Sequence, residues 1–300
     1  MTIPASGDQY ELVHGDQRAV VGEVGATLRS YSAGGREVID GFAIDHHADG
    51  ARGQVLIPWP NRLRDGSYQW DGEAQQLPLD EVALRNAIHG LVRWRNWEPL
   101  EREPSRLKLG LRLFSAPGYP FTLTLAIAFE LGEQGLRVSA RAENLGAGAC
   151  PYGVGFHPYV KVGARVDTAV LRLPAHSVMT VDERQLPVSW GPVEGTDWDF
   201  REQRAIGALE LDSCFGDLER DSDGRARVTL SDEGASLAMW LGEGFDYLMI
   251  YSGDTLAPPR RRQGLAVEPM SCAPNAFQSG EGLVRLEPGQ AHEAEWGIEP

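Results

Sequence analysis

The strongest constraint on the fold is an apolar–polar alternation with a period of two residues in three successive segments. Side chains of a β-strand point alternately to opposite faces of a sheet, so this period predicts strands rather than helices. Turn residues separate the segments, at 117–120 and at 132–135. We therefore predict three successive antiparallel strands. Their apolar positions are Leu107, Leu109, Leu111 and Leu113, then Phe121, Leu123, Leu125, Ile127 and Phe129, then Leu136, Val138 and Ala140.

The same alternation recurs along the rest of the chain. It predicts a hairpin from 18–23 and 26–31 about Val24 and Gly25, a second from 227–230 and 236–241, and a strand at 246–251. The 35 glycines and 19 prolines disfavour long helices, and the modest helix candidates are 79–86 and 203–211. Many short strands with regular turns indicate an all-β sandwich or barrel. Because no Pro- or Ser-rich linker interrupts the pattern, we expect one domain over 1–300.

Charge and cysteine content narrow the possible partners. The formal net charge of −15 disfavours nucleic acid and anionic membrane surfaces, because both are recognised largely through basic residues. Neither a signal-peptide pattern in residues 1–10 nor an apolar run of about 18 residues is found, so we expect no membrane span. Three widely spaced cysteines, Cys150, Cys214 and Cys272, fit neither a disulfide framework nor a zinc ribbon. A cytoplasmic location is the expectation.

The segment 153–159 is the main candidate for chemistry. It places His157 between Gly155 and Pro158, with Phe156 and Tyr159 beside it. Glycine admits backbone angles that other residues avoid, and proline pushes the residue before it toward extended conformation. Histidine titrates near neutral pH, which suits proton transfer to a polar ligand. The alternative is a loop histidine hydrogen-bonded to backbone.

Two more candidates lie between residues 61 and 90. Arg62 follows Asn61 in a stretch stiffened by prolines, and its guanidinium can donate two parallel hydrogen bonds to vicinal hydroxyls or a carboxylate. The alternative is an ordinary surface ion pair. His89 precedes Gly90, where a glycine permits close approach of a ligand or of another backbone segment. A core histidine bonded to a carbonyl is the alternative there.

Two carboxylates stand in apolar surroundings. Asp212 lies in the stretch 211–215 and Glu268 between Val267 and Pro269. Burial raises the pKa of a carboxyl group, which makes Glu268 a candidate base. Asp212 could accept hydrogen bonds from sugar hydroxyls or from Arg62. The alternatives are a turn cap for Asp212 and a solvent-facing edge position for Glu268.

Two further patterns favour no site. His46 and His47 are adjacent, so on a strand they would face opposite sides, and zinc needs at least three convergent ligands. We therefore expect no metal site. The basic run 260–262 is typical of a solvated loop tip.

Taken in order, these motifs resemble the aldose 1-epimerase (galactose mutarotase) family over roughly residues 25–295. The resemblance implies a large antiparallel β-supersandwich. It also implies that His157 is the general acid and Glu268 the general base, while Arg62, His89 and Asp212 hold the sugar. Asn61 and Tyr159 join them, with Phe156 and Trp59 as further candidates to cover the sugar. The motifs that carry the resemblance are Asn61-Arg62 with Gly66 and Tyr68, His89-Gly90, Gly155 to Tyr159, Asp212, and Glu268-Pro269 with Pro274 to Ala276.

The implied reaction interconverts the α and β anomers of a free hexose such as galactose or glucose. A base takes the anomeric proton, an acid protonates the ring oxygen, and the opened sugar closes on its other face. This chemistry requires no metal or other cofactor, and a monomer or homodimer is expected. A hexose-6-phosphate mutarotase, to which 260–262 could contribute cations, and a non-catalytic carbohydrate-binding protein stay open. A glycoside hydrolase with two carboxylates ranks behind them.

Overall fold

The structure is a computed structural model that describes residues 3–300. Strands in the first part of the chain are short. They are β1 (Gln9–His14), β2 (Gln17–Gly22), β3 (Thr27–Ala33), β4 (Arg36–Glu37), β5 (Val55–Leu56), β6 (Arg62–Arg64), β7 (Ser67–Trp70), β8 (Glu73–Gln76) and β9 (Asn86–Ile88).

The middle of the chain holds the longest strands. They are β10 (Glu98–Glu103), β11 (Arg106–Leu113), β12 (Leu123–Gly132), β13 (Gly135–Asn144), β14 (Cys150–Tyr152), β15 (Gly155–Phe156), β16 (Tyr159–Val160), β17 (Val170–Arg172) and β18 (Ala175–Val181).

The last part of the chain completes both large sheets. Its strands are β19 (Pro187–Pro192), β20 (Arg204–Ala205), β21 (Asp212–Leu218), β22 (Ala226–Asp232), β23 (Ala235–Leu241), β24 (Tyr247–Tyr251), β25 (Leu265–Met270), β26 (Val284–Leu286) and β27 (Ala291–Glu299). Helical structure within residues 3–300 is limited to α1 (Ala276–Ser279) and to 3-10 turns at Asp49–Ala51, Val82–Leu84 and Val166–Thr168.

Two large antiparallel sheets organise these strands, and the all-β prediction is confirmed. One sheet has the order β10-β11-β12-β13-β27-β23-β22-β17-β20. The other has the order β19-β18-β21-β24-β25-β15-β5, with β16 also paired to β25. Four strands, β1 to β4, form a separate sheet. Apolar side chains of both large sheets belong to one continuous core, and Phe156 of one sheet packs on Trp296 of the other at 5.3 Å between ring centroids.

The predicted strands appear at β11, β12 and β13, and both predicted hairpins form, as β2–β3 and β22–β23. Residues of β12 alternate between buried and half-buried over the whole strand, as a half-covered sheet requires. That strand begins at Leu123 rather than Phe121, since Phe121 follows Pro120 and its ring packs on Tyr119 instead. None of the helices described in residues 3–300 is both long and apolar enough to span a bilayer.

Both predicted helices are wrong. In 79–86, only Val82–Leu84 is helical, because Glu81 and Asn86 exchange backbone hydrogen bonds and close the segment into a loop. In 203–211, the short strand β20 is followed by a turn at Gly207, whose φ is +60°. The Gly207 carbonyl accepts a hydrogen bond from the Arg262 side chain instead of one from a helical N–H group.

Candidate active site

A cavity of about 350 Å³ opens on the face of the second large sheet. All seven side chains singled out in the sequence line it: Asn61, Arg62, His89, His157, Tyr159, Asp212 and Glu268. They come from distant parts of the chain, some from strands and some from the segments between strands. The fold therefore brings together the groups that the motifs indicated separately.

His157 and Glu268 face each other across neighbouring strands. Gly155 of β15 is paired with Met270 of β25, and Tyr159 of β16 is paired with Ala266 of the same strand. This antiparallel register puts His157 directly opposite Glu268, and side chains at opposite positions meet. His157 Nε2 lies 3.2 Å from Glu268 Oε1. Pro158 has no N–H group to donate, so the hydrogen bonding to β25 is interrupted between β15 and β16.

Burial sets the charge state of this pair. His157 and Glu268 are 5% and 2% exposed, so water stabilises neither charged form. Desolvation lowers the pKa of His157 to about 3 and raises the pKa of Glu268 well above its usual range, with the Asp212 carboxylate adding to the latter shift. His157 is therefore neutral at neutral pH, and burial favours the neutral form of Glu268, in which the pair carries one titratable proton, on Glu268. Glu268 Oε2 is buried without a hydrogen-bond partner in residues 3–300, so it is available to a ligand.

His89 is fixed beside His157 by backbone hydrogen bonds. The Asn61 N–H donates to His89 Nδ1 over 3.2 Å, and the His89 N–H donates to the Asn61 carbonyl over 2.9 Å. Because Nδ1 accepts, the neutral ring carries its proton on Nε2. Burial and the neighbouring His157 lower the pKa of His89 well below its usual range. The two imidazole rings meet edge to face at 5.4 Å between centroids.

The close approach at Gly90 places His89. Gly90 has φ +71°, and a Cβ atom there would lie 2.0 Å from the Ile57 carbonyl oxygen. Glycine therefore allows another backbone segment, rather than a ligand, to approach. At Gly153 and Gly155 the expectation of unusual backbone angles is wrong, since neither φ is in the left-handed region. Close packing excludes side chains there, with Cβ contacts of 2.5 Å to Cys272 Sγ and 2.7 Å to Pro60 Cβ.

Arg62 is oriented by Glu81, a residue that sequence reasoning missed. Its Nε and Nη2 atoms donate to the Glu81 carboxylate at 2.9–3.0 Å, so the predicted two-pronged donation meets a protein carboxylate. The third nitrogen, Nη1, is the one that Glu81 does not engage. Asn86 also donates to Glu81 at 2.8 Å, which fixes the carboxylate. Glu81 lies in 79–86, and the sequence indicated this segment only as a helix candidate.

Asp212 enters the pocket from β21 and does not bond to Arg62. In the sheet register Asp212 is opposite Tyr251, and Met249 is opposite Glu268, so β24 separates the two carboxylates. Desolvation raises the pKa of Asp212, an effect that the Arg62 charge opposes. This partly buried carboxylate is suited to accept hydrogen bonds from hydroxyl groups.

The aromatic residues divide between pocket and core. The Tyr159 ring stacks on His157 with centroids 5.1 Å apart, and it lines the cavity. Phe156 is buried against Phe245 and Trp296, so its expected role in covering a ligand is wrong. Successive strand residues face opposite sides, and Phe156 faces the core. Trp59 packs against Phe277 at 5.4 Å and does not line the cavity.

Three further observations concern the cavity lining, the basic run and possible metal ligands. Arg93 and Trp94 line the cavity although no motif indicated them, and Trp94 is 54% exposed. The basic run is not a solvated tip, because Arg260 bonds to Asp40 and Arg262 is buried against Asp254; neither lines the cavity. Within residues 3–300 no cluster of three or more metal-ligating side chains occurs, and the three cysteines are buried free thiols.

Comparisons with known proteins agree with this architecture. The family model described as aldose 1-epimerase matches residues 8–299. The Escherichia coli (strain K12) protein YihR, described as uncharacterized, is 36% identical over 289 residues, covering 96% of this chain and 91% of its own.

Two solved structures share the fold. An aldose epimerase homologue from C. elegans superposes with a TM-score of 0.86 at 17% identity, over 97% of this chain and 98% of its own. A galactose 1-epimerase from Lactobacillus acidophilus NCFM gives 0.81 at 22% identity, over 100% and 97%. These likenesses show a galactose mutarotase-like fold, and the match of the family model over nearly the whole chain shows that this protein belongs to the aldose 1-epimerase family.

Proposed function

We propose that this protein is an aldose 1-epimerase that interconverts the anomers of a free hexose, with His157 as general acid and Glu268 as general base. The supporting observation is the buried contact of 3.2 Å between His157 Nε2 and Glu268 Oε1, both of which line the cavity. An acid and a base of perturbed pKa in one cleft form a candidate catalytic pair.

The reaction exchanges two protons with the sugar and breaks one of its ring bonds. Glu268 first passes its proton to His157 across their contact, and the carboxylate so formed accepts the proton of the anomeric hydroxyl while the imidazolium donates its proton to the ring oxygen. The C1–O5 bond breaks and a carbonyl forms at C1. Rotation about C1–C2 presents the other face of the carbonyl, and the reverse transfers close the ring and restore both groups. The pair needs one shared proton, which is the number it carries when both groups are in the neutral form that burial favours.

The remaining lining side chains suit sugar hydroxyls. Arg62 Nη1 and His89 Nε2–H are donors, and Asp212 is an acceptor. A neutral His89 donates a hydrogen bond without adding a second positive charge beside His157. His157 covers one face of the Tyr159 ring. The edge of the Tyr159 ring is therefore the part that a sugar in the cavity would contact.

A free hexose is favoured over a phosphorylated one. The guanidinium of Arg62 already meets Glu81, and Arg93 meets Asp80 at 2.8 Å. The arginines at 260–262 are not in the cavity lining. A non-catalytic binding protein would have no need of both buried titratable groups. A hydrolase would need two carboxylates across a bond, whereas Glu268 here faces a histidine.

Polarimetry tests the proposal. Freshly dissolved α-D-galactose, α-D-glucose and glucose 6-phosphate should be compared with and without protein. We expect faster equilibration of a free hexose than in buffer and a weaker effect on the phosphate. Saturable binding of the sugar without acceleration would favour the binding protein, and preference for glucose 6-phosphate would favour the phosphosugar enzyme.

A further inference from the structure

Behind the cavity lies a buried arginine that does not line it. Arg52 is 1% exposed, and its Nη1 atom donates to the Asp40 carboxylate at 2.6 Å and to the Asp40 carbonyl at 3.1 Å. Its Nε donates to Asp49 at 3.2 Å. Arg260 reaches the other Asp40 oxygen at 3.2 Å. The charge of Arg52 is thus paired through Nη1 and Nε.

The planar face of this guanidinium stacks on the ring of Tyr159, which lines the cavity. Its central carbon lies 4.0 Å from the centroid of the Tyr159 ring. The Tyr159 ring also stacks on His157, with 17° between the ring planes and 5.1 Å between centroids. Tyr159 is held in place through its hydroxyl, which donates to the Gly50 carbonyl at 2.9 Å. Arg52 and His157 therefore both stack on Tyr159, and His157 in turn contacts Glu268.

The segment that carries Arg52 is also bonded to the His157 backbone. The Gly53 N–H donates to the His157 carbonyl at 2.8 Å, and the His157 N–H donates to the Gln54 carbonyl at 3.1 Å. Residues 50–54 thus contact both the main chain of His157 and, through Tyr159, its ring.

We propose that Arg52 is a positioning residue of the epimerase reaction, which holds Tyr159 as a flat plate against His157 and so fixes the plane in which the imidazole meets Glu268 and the sugar. This inference rests on the proposed function. Stability alone is a weak reason for the charge, since buried ion pairs are often replaceable by apolar groups without loss. Moreover, Arg52 Nη2 is buried without a hydrogen-bond partner in the described part of the chain.

The charge of Arg52 also acts on the proton of His157. The groups that face the imidazole are Glu268, His89, Tyr159 and, at longer range, Arg52 and Arg93. Burial is the main reason that the pKa of His157 is low, and the two arginine charges add to it. Loss of the Arg52 charge should therefore raise the pKa of His157.

The test is the double variant Arg52→Met with Asp40→Asn, which removes the cation without leaving its carboxylate charged. We expect kcat to fall about ten- to a hundredfold, the scale of misplaced catalytic groups, with KM within about twofold. The acid limb of the kcat profile should move to higher pH. Arg52→Lys should restore the limb but not kcat, because an ammonium keeps the charge and lacks the flat face.

Arg225→Met is the matched control, since Arg225 stacks on Trp240 at 3.9 Å outside the cavity lining. It should leave kcat and the acid limb unchanged. A folded double variant with wild-type kcat and an unmoved acid limb would overturn the proposal. Should the double variant not fold, Tyr159→Leu removes the plate and keeps the Arg52 charge, so it must lower kcat and leave the acid limb in place.

Failure of the two proposals can be told apart. If the wild-type protein accelerates the anomerisation of no sugar, the proposed function fails. The effect of Arg52 on His157 is then measured by NMR. The imidazole nitrogen shifts of His157, followed against pH, should titrate at higher pH in the double variant than in the wild type. Identical titrations would contradict the role of Arg52 without any activity measurement.

Discussion

Glu268 occupies a position where function and stability conflict. A carboxyl group with 2% exposure gives up its hydration, and the ionisable group that it contacts at 3.2 Å is a buried imidazole. Ionisation of either group is therefore costly, and the cost falls on the folded state alone. The proposed function uses the same desolvation, which shifts the pKa values of the proposed acid and base. Residues of this kind are expected to reduce stability.

Glu268→Gln should stabilise the protein at neutral pH while abolishing its activity. Burial raises the pKa of Glu268 in the folded state. Above the ordinary glutamate pKa the unfolded chain releases a proton that the folded chain keeps, so wild-type stability falls as pH rises through this window. Urea unfolding should show a gain for the variant of about 0.5–2 kcal/mol at pH 8 and almost none at pH 4.

Glu98→Gln, at an exposed position of β10, is the control and should show no pH-dependent gain. A Glu268→Gln protein no more stable at pH 8 than at pH 4, relative to the wild type, would mean that Glu268 ionises freely in the folded state.

At the scale of elements, short and interrupted strands build the site. β15 and β16 have two residues each, and His157 lies in the gap between them. Sequence periodicity finds long alternating strands such as β12 and does not find these. It also gave no register, so the position of His157 opposite Glu268 could not be predicted from the spacing of the two motifs. The family resemblance supplied that pairing instead.

Gly90→Ala should disturb the ladder that holds His89. A Cβ at Gly90 would meet the Ile57 carbonyl at 2.0 Å, and φ there is +71°. We expect a loss of stability well above about 1 kcal/mol and a weaker affinity for sugar, because His89 precedes Gly90 directly. Chemical denaturation and a sugar titration by calorimetry measure the two effects.

Gly72→Ala is the control variant that separates backbone strain from a steric clash. Gly72 has φ +86°, but a Cβ atom there would have no neighbour within 4 Å, so this variant carries backbone strain of about 1 kcal/mol and no clash. Equal losses of stability in Gly90→Ala and Gly72→Ala, with unchanged sugar affinity in both, would show that the contact of Gly90 with the Ile57 backbone does not hold His89 in position.

At the scale of the whole molecule, a shared core joins the two large sheets behind the cavity. Phe156 sits next to His157 in sequence, yet its ring packs on Trp296 of the opposite sheet. The all-β class followed from the sequence because alternation is a local signal. The sequence did not show which aromatic ring faces the cavity and which faces the core, because that depends on the strand direction at a single residue. The same limit applies to the loop 79–86, where Glu81 is fixed by contacts distant in sequence.

Phe156→Ala should destabilise the protein by about 3–5 kcal/mol, the usual cost of emptying a buried phenylalanine site. That is a large share of the stability of a typical domain. Phe114→Ala, at a side chain that is 62% exposed, should change stability by less than about 0.5 kcal/mol. Urea unfolding of both variants checks this, and similar small losses would contradict the placement of Phe156 between the sheets.

The most direct test of the central claim is the anomerisation rate of a free hexose with the wild type, His157→Gln and Glu268→Gln, measured by polarimetry at equal concentrations of folded protein. Each well-placed acid or base is worth about 10²–10⁴-fold in rate, so each variant should lose at least about a hundredfold in kcat. Sugar binding by both variants, shown by calorimetry, would confirm that chemistry rather than the pocket was lost. Wild-type rates in either variant would contradict the assignment of His157 and Glu268 as the acid and base.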